Sequence, residues 1–251
     1  MSSLLTRRSV LTGLGFGTII GGTAGLILSP SLRELVLGTG ERLAYRSHRL
    51  IGRNALAPEF TEAELSPDFR TNGNTLPSSD DYRRHMDTGF ANWTLRIDGL
   101  VAAPMAFSLA ALKAMPGRTQ ITRHDCVEGW SAIGKWTGTP LATLLSRVSL
   151  LPSARYLVLH CADDFNGDPY YESIDLVDAF HPQTLLAHTM NDQPLSVGHG
   201  APLRLRVERQ LGYKQAKYIM RIEATATLAG TGLGKGGYWE DRIGYDWYAG
   251  I

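Results

Sequence analysis

The sequence predicts a mixed α+β domain, in which mixed sheets are joined by short helices. Residues 93–101 alternate apolar and polar side chains up to a break at Gly99, a pattern typical of a strand followed by a turn. Ser108 can cap a short helix that ends before Pro116. The same order of strand, helix and strand is predicted again around and after Cys126. The sequence itself shows no internal repeat, and no glycine-rich phosphate loop follows a strand. This combination argues against a doubly wound nicotinamide-binding fold.

The later elements are predicted from the same periodicities. Residues 118–122 alternate as a strand, and residues 141–148 have helical spacing. Residues 154–161 have a β-branched and aromatic centre, which predicts another strand. Residues 174–179 predict a helix, and residues 218–227 predict a last strand that is followed by an aromatic tail.

Composition and charge describe an ordinary globular protein. The chain has 251 residues, of which 43% are hydrophobic and 20% are charged, so it can bury one sizeable core. A net charge of +1 gives no reason to expect a nucleic-acid partner. The two cysteines, Cys126 and Cys161, allow at most one bridge and do not identify the compartment.

The N-terminus predicts export. Arg7 and Arg8 precede an apolar, uncharged, glycine-rich run over residues 10–28, which is the layout of a twin-arginine signal. The run is also just long enough to cross a bilayer, and no clean cleavage site stands out, so a retained membrane anchor is the alternative. The predicted organisation is a signal or anchor at 1–30, a linker and lead-in at 31–66, and the main domain at 67–251.

The stretch over residues 122–136 is the focus of the predicted chemistry, because it places Cys126 at the end of a strand, before a turn of small residues. Three interpretations are open from the residues alone. Cys126 can be a buried apolar side chain, a nucleophile with His124 as its base, or a ligand that presents sulfur to a bound group.

Residues 123–130 (RHDCVEGW) and 136–141 (WTGTPL) resemble the sulfite oxidase superfamily of molybdopterin oxidoreductases. A second match is formed by residues 199–207 (HGAPLRLRV) and 212–217 (GYKQAK). The resemblance runs from about residue 69 to residue 218. It is strongest to the exported bacterial branch that includes the catalytic subunit of periplasmic methionine-sulfoxide reductase. It implies a sulfite oxidase-type molybdopterin-binding domain with a molybdenum–molybdopterin cofactor.

The resemblance also implies which residues bind the cofactor. Cys126 would be the protein's one ligand to molybdenum, and the pterin dithiolene would supply two further sulfurs. An arginine fork, a lysine and backbone N–H groups are the chemistry that holds the terminal phosphate of the pterin. The implied cofactor-binding positions are Asn72, Cys126, Cys161, His199, Arg204, Gln215, Ala216 and Lys217.

The implied reaction moves an oxygen atom between molybdenum and substrate. Cys126 would tune the metal, Tyr171 would lie beside it as a proton donor, and Arg123 would supply positive charge near the entrance. The loop before the domain lacks the arginine expected of sulfite oxidases proper, and Glu128 would repel a dianion. Reduction of an S-oxide or N-oxide is therefore the preferred prediction. Sulfite oxidation and a cofactor-free binding module are the alternatives.

The predicted partners follow from two absences in the sequence. No haem-attachment motif is found, so a separate haem or quinone-linked membrane protein is expected to donate electrons to the enzyme. The other expected partner is a small-molecule oxide substrate. No length remains after Lys217 for an immunoglobulin-like dimerisation domain, so a monomer in the periplasm is expected.

Overall fold

The computed structural model describes residues 29–251. The predicted signal or anchor at 1–30 lies almost entirely outside these residues. The chain forms two units that divide between Gly52 and Arg53.

The first unit contains one long helix, α1, over Pro30–Ile51. It begins after Ser29, whose hydroxyl accepts a hydrogen bond from the backbone N–H of Leu32 at 3.4 Å. A proline suits the start of a helix because the N–H that it lacks would have no helical partner there. Much of the predicted linker is therefore regular helix. Within residues 29–251, no helix combines the length and apolar character needed to span a membrane.

The second unit is built from two sheets and several short helices. The first sheet has five strands in the order β2, β1, β10, β5 and β6, and its β1–β10 pair is parallel. The second sheet has the order β3, β4, β7 and β8, and β9 pairs with β7. The strands are β1 Thr94–Gly99, β2 Met105–Ser108, β3 Arg118–Cys126, β4 Trp130–Pro140, β5 Tyr156–Phe165, β6 Asp168–Asp175, β7 Leu185–Met190, β8 Gln193–Pro194, β9 Arg204–Arg206 and β10 Ile219–Thr225. The helices are α2 Asp80–Asp87, α3 Leu109–Lys113, α4 Leu141–Val148, α5 Leu176–Ala179 and α6 Tyr238–Ile243.

The predicted elements are found close to their expected positions. Helix α4 covers residues 141–148, and Ser108 caps α3 by accepting from the N–H of Ala111 at 3.1 Å. Strand β5 runs four residues beyond the predicted end at Cys161. Strand β4 was not predicted, because glycines and a proline interrupt its apolar residues. At Gly138 a side chain is impossible without movement, since a Cβ would lie 2.3 Å from the carbonyl oxygen of Leu186 on β7.

The compact unit begins before the predicted boundary at residue 67. The N–H of Phe60 donates to the carbonyl of Ile121 on β3 at 2.9 Å. The Gln183 side chain bonds both the N–H and the carbonyl of Ala57, at 2.8 and 3.0 Å. Residues 53–66 therefore run along the second sheet as part of its packing.

Two apolar clusters stabilise this unit. The larger one packs side chains from both sheets against α4, including Leu95, Leu144, Leu186 and Ile222. The smaller one surrounds Trp136 at the centre of β4. Because the sheets bury their facing sides in this way, the end of β3 is held against the loops that precede β10.

Candidate active site

A cavity of about 190 Å³ opens at the end of β3, and several segments of the second unit line it. Its lining residues are Asn72, Gly73, Cys126, Val127, Glu128, Asp163, Phe165, Tyr170, Gly212, Tyr213, Gln215, Ala216, Lys217, Trp239, Ile243 and Tyr245.

Strand periodicity brings Cys126 to this cavity. Alternate residues of β3 are buried, ending with Thr122, His124 and Cys126. The chain then turns at Gly129, which has a φ of 86°. The Cys126 sulfur is not in a disulfide. Burial raises the pKa of this thiol. The backbone N–H groups of Glu128 and Val127 and the positive charge of Arg204 oppose the rise, and the carboxylate charge of Glu128 adds to it.

Lys217 supplies positive charge to the cavity. It lies after a 3₁₀ turn over Gly212–Lys214, and its Nζ donates to the carbonyl of Gly198 at 2.9 Å and to that of Asn74. Burial and the charge of Arg204 lower its pKa to about 7. The positive charges of Lys217 and Arg204 thus disfavour each other, and an anionic ligand bound between them would relieve this repulsion.

Arg204 lies behind the cavity and is fully buried. It donates to the carbonyl oxygens of His199 at 3.1 Å and Gln215 at 3.4 Å, and its guanidinium carbon lies 5.0 Å from the centre of the Trp136 ring. Its Nε has no hydrogen-bond partner among the described residues. Burial and Arg206 lower its pKa to about 9. A buried donor without a partner is costly, so an anion reaching this point would gain a prepared hydrogen bond.

His124 is held neutral and is oriented by a neighbour that the sequence did not reveal. Arg206 donates to His124 Nδ1 at 3.2 Å, which places the ring proton on Nε2. Burial, Arg206 and Arg204 hold the pKa of His124 well below its ordinary value, and the Gln215 amide opposes this lowering. A Cβ at Gly212 would lie 2.5 Å from His124 Nε2, so only glycine allows the ring to approach this turn. His124 therefore supports the turn and is not placed as a base toward the solvent.

Asp163 is a buried carboxyl group of the cavity wall that the sequence analysis did not identify. It is only 4% exposed, and its Oδ1 has no partner within the described residues. Its Oδ2 accepts a long hydrogen bond of 3.4 Å from Asn74 Nδ2. Burial raises its pKa to about 6, and Lys217 opposes the rise. Alternation along β5 gave no signal for it, because the pairing of β5 is irregular between His160 and Asp164.

Glu128 is held in a fixed orientation beside Cys126. Its Oε2 accepts from Trp130 Nε1 at 3.0 Å, and its Oε1 accepts a 3.4 Å bond from the backbone N–H of Gly73. The carboxylate therefore connects the loop that bears Asn72 to the turn after β3.

The aromatic tail closes another side of the cavity through Trp239, Ile243 and Tyr245. A buried charge cluster fixes it: Lys214 Nζ donates to Glu240 of α6 at 2.7 Å and also to Glu172 of β6. These three side chains are fully buried. The aromatic tail is thus an integral part of the cavity wall.

The structure brings together five of the predicted cofactor-binding residues in the cavity lining, and it places Arg204 behind them. The five residues are Asn72, Cys126, Gln215, Ala216 and Lys217. His199 does not reach the lining: its ring Nε2 pairs with the carbonyl of Phe69 at 2.9 Å and its Nδ1 with Ser196 at 2.8 Å. Cys161 is half-buried under the same wall, and its sulfur lies 3.9 Å from the carbonyl of Leu159.

Two predicted catalytic residues lie outside the cavity lining. The Tyr171 hydroxyl donates to Asp241 of α6, and its neighbour Tyr170 lines the cavity while donating to the carbonyl of Tyr213 at 2.8 Å. Arg123 pairs with Asp125 at 2.9 Å, on the wall of a separate cavity of about 200 Å³. Alternation explains this result, because Arg123 points to the opposite face of β3 from His124 and Cys126.

Comparison with known families shows which family the chain belongs to. Residues 83–230 match the oxidoreductase molybdopterin-binding domain family. The chain belongs to this family. The predicted family and the α+β class are therefore confirmed.

Several relatives of this molybdopterin-binding chain are known. It is 41% identical over 201 residues to YedZ1 of Azospira oryzae, a provisionally named protein-methionine-sulfoxide reductase subunit, which covers 80% of this chain and 70% of that protein. It is 38% identical over 141 residues to the protein-methionine-sulfoxide reductase catalytic subunit MsrP of Ralstonia nicotianae, and 36% identical over 141 residues to MsrP of Xanthomonas axonopodis pv. citri. Each MsrP match covers 52% of this chain, and the chain spans less than half of either MsrP, 43% and 44%.

A solved structure supports the fold. The sulfane dehydrogenase SoxCD of Paracoccus pantotrophus aligns with a TM-score of 0.50 at 22% identity, covering 55% of this chain and 39% of that one. This similarity concerns the arrangement of strands and helices, and it carries no information about substrate.

The residues present fit a molybdopterin. The wall offers one soft sulfur donor in Cys126, and Lys217 and Arg204 provide the cations that a phosphate requires. Gln215 Oε1 and Asp163 Oδ1 are buried acceptors without a partner among the described residues, and they suit the N–H groups of a pterin. Within residues 29–251, no group of three or more His, Cys, Asp or Glu side chains could by itself hold a metal ion.

Proposed function

We propose that this chain is a molybdenum-dependent oxidoreductase that reduces neutral S-oxide or N-oxide groups by oxygen-atom transfer. The charge of the cavity is the observation that supports this substrate class. Lys217 is the sole cationic residue among the described lining residues, and Glu128 and Asp163 are both acidic. A sulfite dianion would meet two carboxyl groups, which repel it. The one lysine would already be engaged by the phosphate of the cofactor. A neutral dipolar oxide therefore suits the cavity better.

The protein's own residues position the reacting groups. When bound, the molybdenum–pterin group supplies two-electron oxygen-atom transfer, with Cys126 as its protein ligand. Cys126 must lose its proton to act as a ligand, and the backbone N–H groups of Glu128 and Val127 together with the charge of Arg204 favour the thiolate against burial. Lys217 and Arg204 would hold the phosphate, and the phosphate would in turn favour the protonated form of Lys217.

The mouth of the cavity selects the substrate. Trp239, Ile243 and Tyr245 present apolar surface on which the carbon substituents of a sulfoxide can pack. Glu128, fixed by Trp130 and Gly73, excludes small anions by charge repulsion. Reduction of one sulfoxide consumes two electrons and two protons and releases a sulfide and water.

The setting of the enzyme is proposed from the sequence and the relatives. Arg7, Arg8 and the following apolar run support export by the twin-arginine route to the periplasm, with an anchored form as the alternative. Two relatives are named as catalytic subunits of protein-methionine-sulfoxide reductases, which supports methionine sulfoxide as a substrate. A monomeric catalytic chain that receives electrons from a separate haem or quinone-linked membrane protein is proposed from the sequence, in which no haem-attachment motif is found.

The proposal is tested with purified protein, analysed for molybdenum and pterin and assayed with a reduced dye. We expect about one molybdenum per chain and reduction of methionine sulfoxide or an amine N-oxide, with weak oxidation of sulfite at best. Efficient sulfite oxidation together with inert sulfoxides would contradict the direction proposed. Protein that contains neither molybdenum nor pterin after expression in a cofactor-producing host would contradict the cofactor assignment.

A further inference from the structure

Helix α1 carries an exposed apolar stripe, which we define as Leu32, Val36, Leu43 and Leu50. Because a helix turns 100° per residue, these four positions lie within roughly 40° of one another around the axis. Their side chains are 39%, 46%, 58% and 86% exposed. Exposed apolar residues that cluster on one face, rather than scatter singly, mark interaction surfaces on soluble proteins.

Positive charge flanks one side of the apolar stripe. Arg42 and Arg46 are exposed, and their positions fall within about 80° of the stripe on the same side. Glu41 lies on the opposite half of the helix. Leucines with adjacent arginines, and an acidic residue turned away, form the pattern of a helix that lies in the plane of an anionic membrane surface.

The neighbouring sequence leads to the same surface. The apolar, uncharged run over residues 10–28 ends one residue before Ser29, which caps α1. A run of this length can cross a bilayer. If it is retained, the next residues leave the bilayer where α1 begins, and the stripe reaches the boundary between headgroups and acyl chains.

We propose that α1 binds the surface of an anionic phospholipid membrane, with its apolar stripe at the acyl boundary and Arg42 and Arg46 among the headgroup phosphates. A partner helix suits this face less well. Thr39 and Arg46 occupy the intervening positions of the stripe, and a helical seam would have to desolvate both. At a membrane the Arg46 side chain extends to the phosphates.

The test measures hydrogen exchange of the full-length purified chain, peptide by peptide, with three samples: no vesicles, phosphatidylcholine vesicles, and the same vesicles containing phosphatidylglycerol. We expect the peptides of residues 30–51 to gain protection on the phosphatidylglycerol vesicles, and this protection to fall as salt is raised. Peptides of residues 53–251 should exchange at unchanged rates.

Variants separate the contribution of the helix from that of the apolar run before it. Arg42→Gln with Arg46→Gln should weaken the phosphatidylglycerol-dependent protection by roughly 25-fold in lipid concentration, since each basic side chain near such a surface contributes about a fivefold effect. Leu43→Ser with Leu50→Ser should also weaken it. Arg83→Gln with Arg84→Gln, a matched pair of exposed arginines in α2, should leave it unchanged.

Three results would overturn the proposal. Protection confined to residues 10–28 would show that the apolar run alone meets the bilayer. Equal protection of residues 30–51 on both kinds of vesicle would exclude the role of the arginines. Protection that appears without vesicles and grows with protein concentration would show that a second copy of the chain covers the stripe.

Discussion

Replacing Lys214 by methionine removes the cation that two buried carboxyl groups share. Lys214 donates to Glu240 at 2.7 Å and to Glu172, and none of the three side chains is exposed to solvent. Methionine fills a similar volume, so the main effect is two carboxyl groups facing each other without a counter-charge. Breaking a buried ion pair in this way costs about 3–5 kcal/mol. For a unit of this size that corresponds to a fall in Tm of about 6–20 °C.

The loss of unfolding free energy caused by Lys214→Met should depend on pH. Burial already raises the pKa of Glu172 well above its ordinary value, and loss of Lys214 removes the charge that opposes this rise. A carboxyl group whose pKa is raised on folding stabilises the fold at low pH, and this contribution is lost as pH rises through the folded pKa. The destabilisation by Lys214→Met should therefore be smaller at about pH 5 than at about pH 8.

Urea unfolding of variants with matched cofactor content measures this effect. Lys113→Met, at an exposed position of α3, is the control and should change the free energy of unfolding by less than about 0.5 kcal/mol. A loss below about 1 kcal/mol for Lys214→Met, or an equal loss at both pH values, would refute the account of the cluster. Because the cluster holds Glu240 of α6, we also expect the variant to lose cofactor more readily than the control.

Three further predictions concern the cofactor and export. Cys126→Ser should keep most of the pterin, which the phosphate contacts hold, while turnover falls by about a thousandfold or more; near-normal activity at full molybdenum content would show that Cys126 is not the ligand. Lys217→Met should weaken cofactor retention by at least about tenfold, measured by pterin fluorescence of the protein after gel filtration. In wild-type protein this retention should fall as pH rises above about 7, because the pKa of Lys217 is about 7 and its charge is lost there; retention that is flat between about pH 6 and pH 9 would contradict this role. Arg7→Lys with Arg8→Lys should leave folded, metal-loaded protein in the cytoplasm, as measured by fractionation, and undiminished export would exclude the twin-arginine route.

The regular elements could be predicted where one periodicity was uninterrupted. Helix α4 and strand β1 repeat a single pattern and contain no glycine or proline before their ends, so their limits were close to those observed. Strand β4 was missed because Gly134, Gly138 and Pro140 break its alternation. Gly138 is needed for the close approach of β7, and a contact between strands that lie far apart in sequence leaves no local signal.

The sequence by itself indicated the cofactor family through its resemblance to known motifs. The same resemblance named Asn72, Cys126, Gln215, Ala216 and Lys217, which the structure brings together in one cavity lining. Alternation along β3 also contained the information that Arg123 points away from Cys126, although the prediction did not use it. Only the tertiary structure decided which tyrosine of the pair at 170 and 171 lines the cavity. Only the tertiary structure, likewise, showed that Asp163 and the tail residues Trp239, Ile243 and Tyr245 line the cavity. Their burial and pKa values depend on packing between distant segments, and no local pattern encodes such packing.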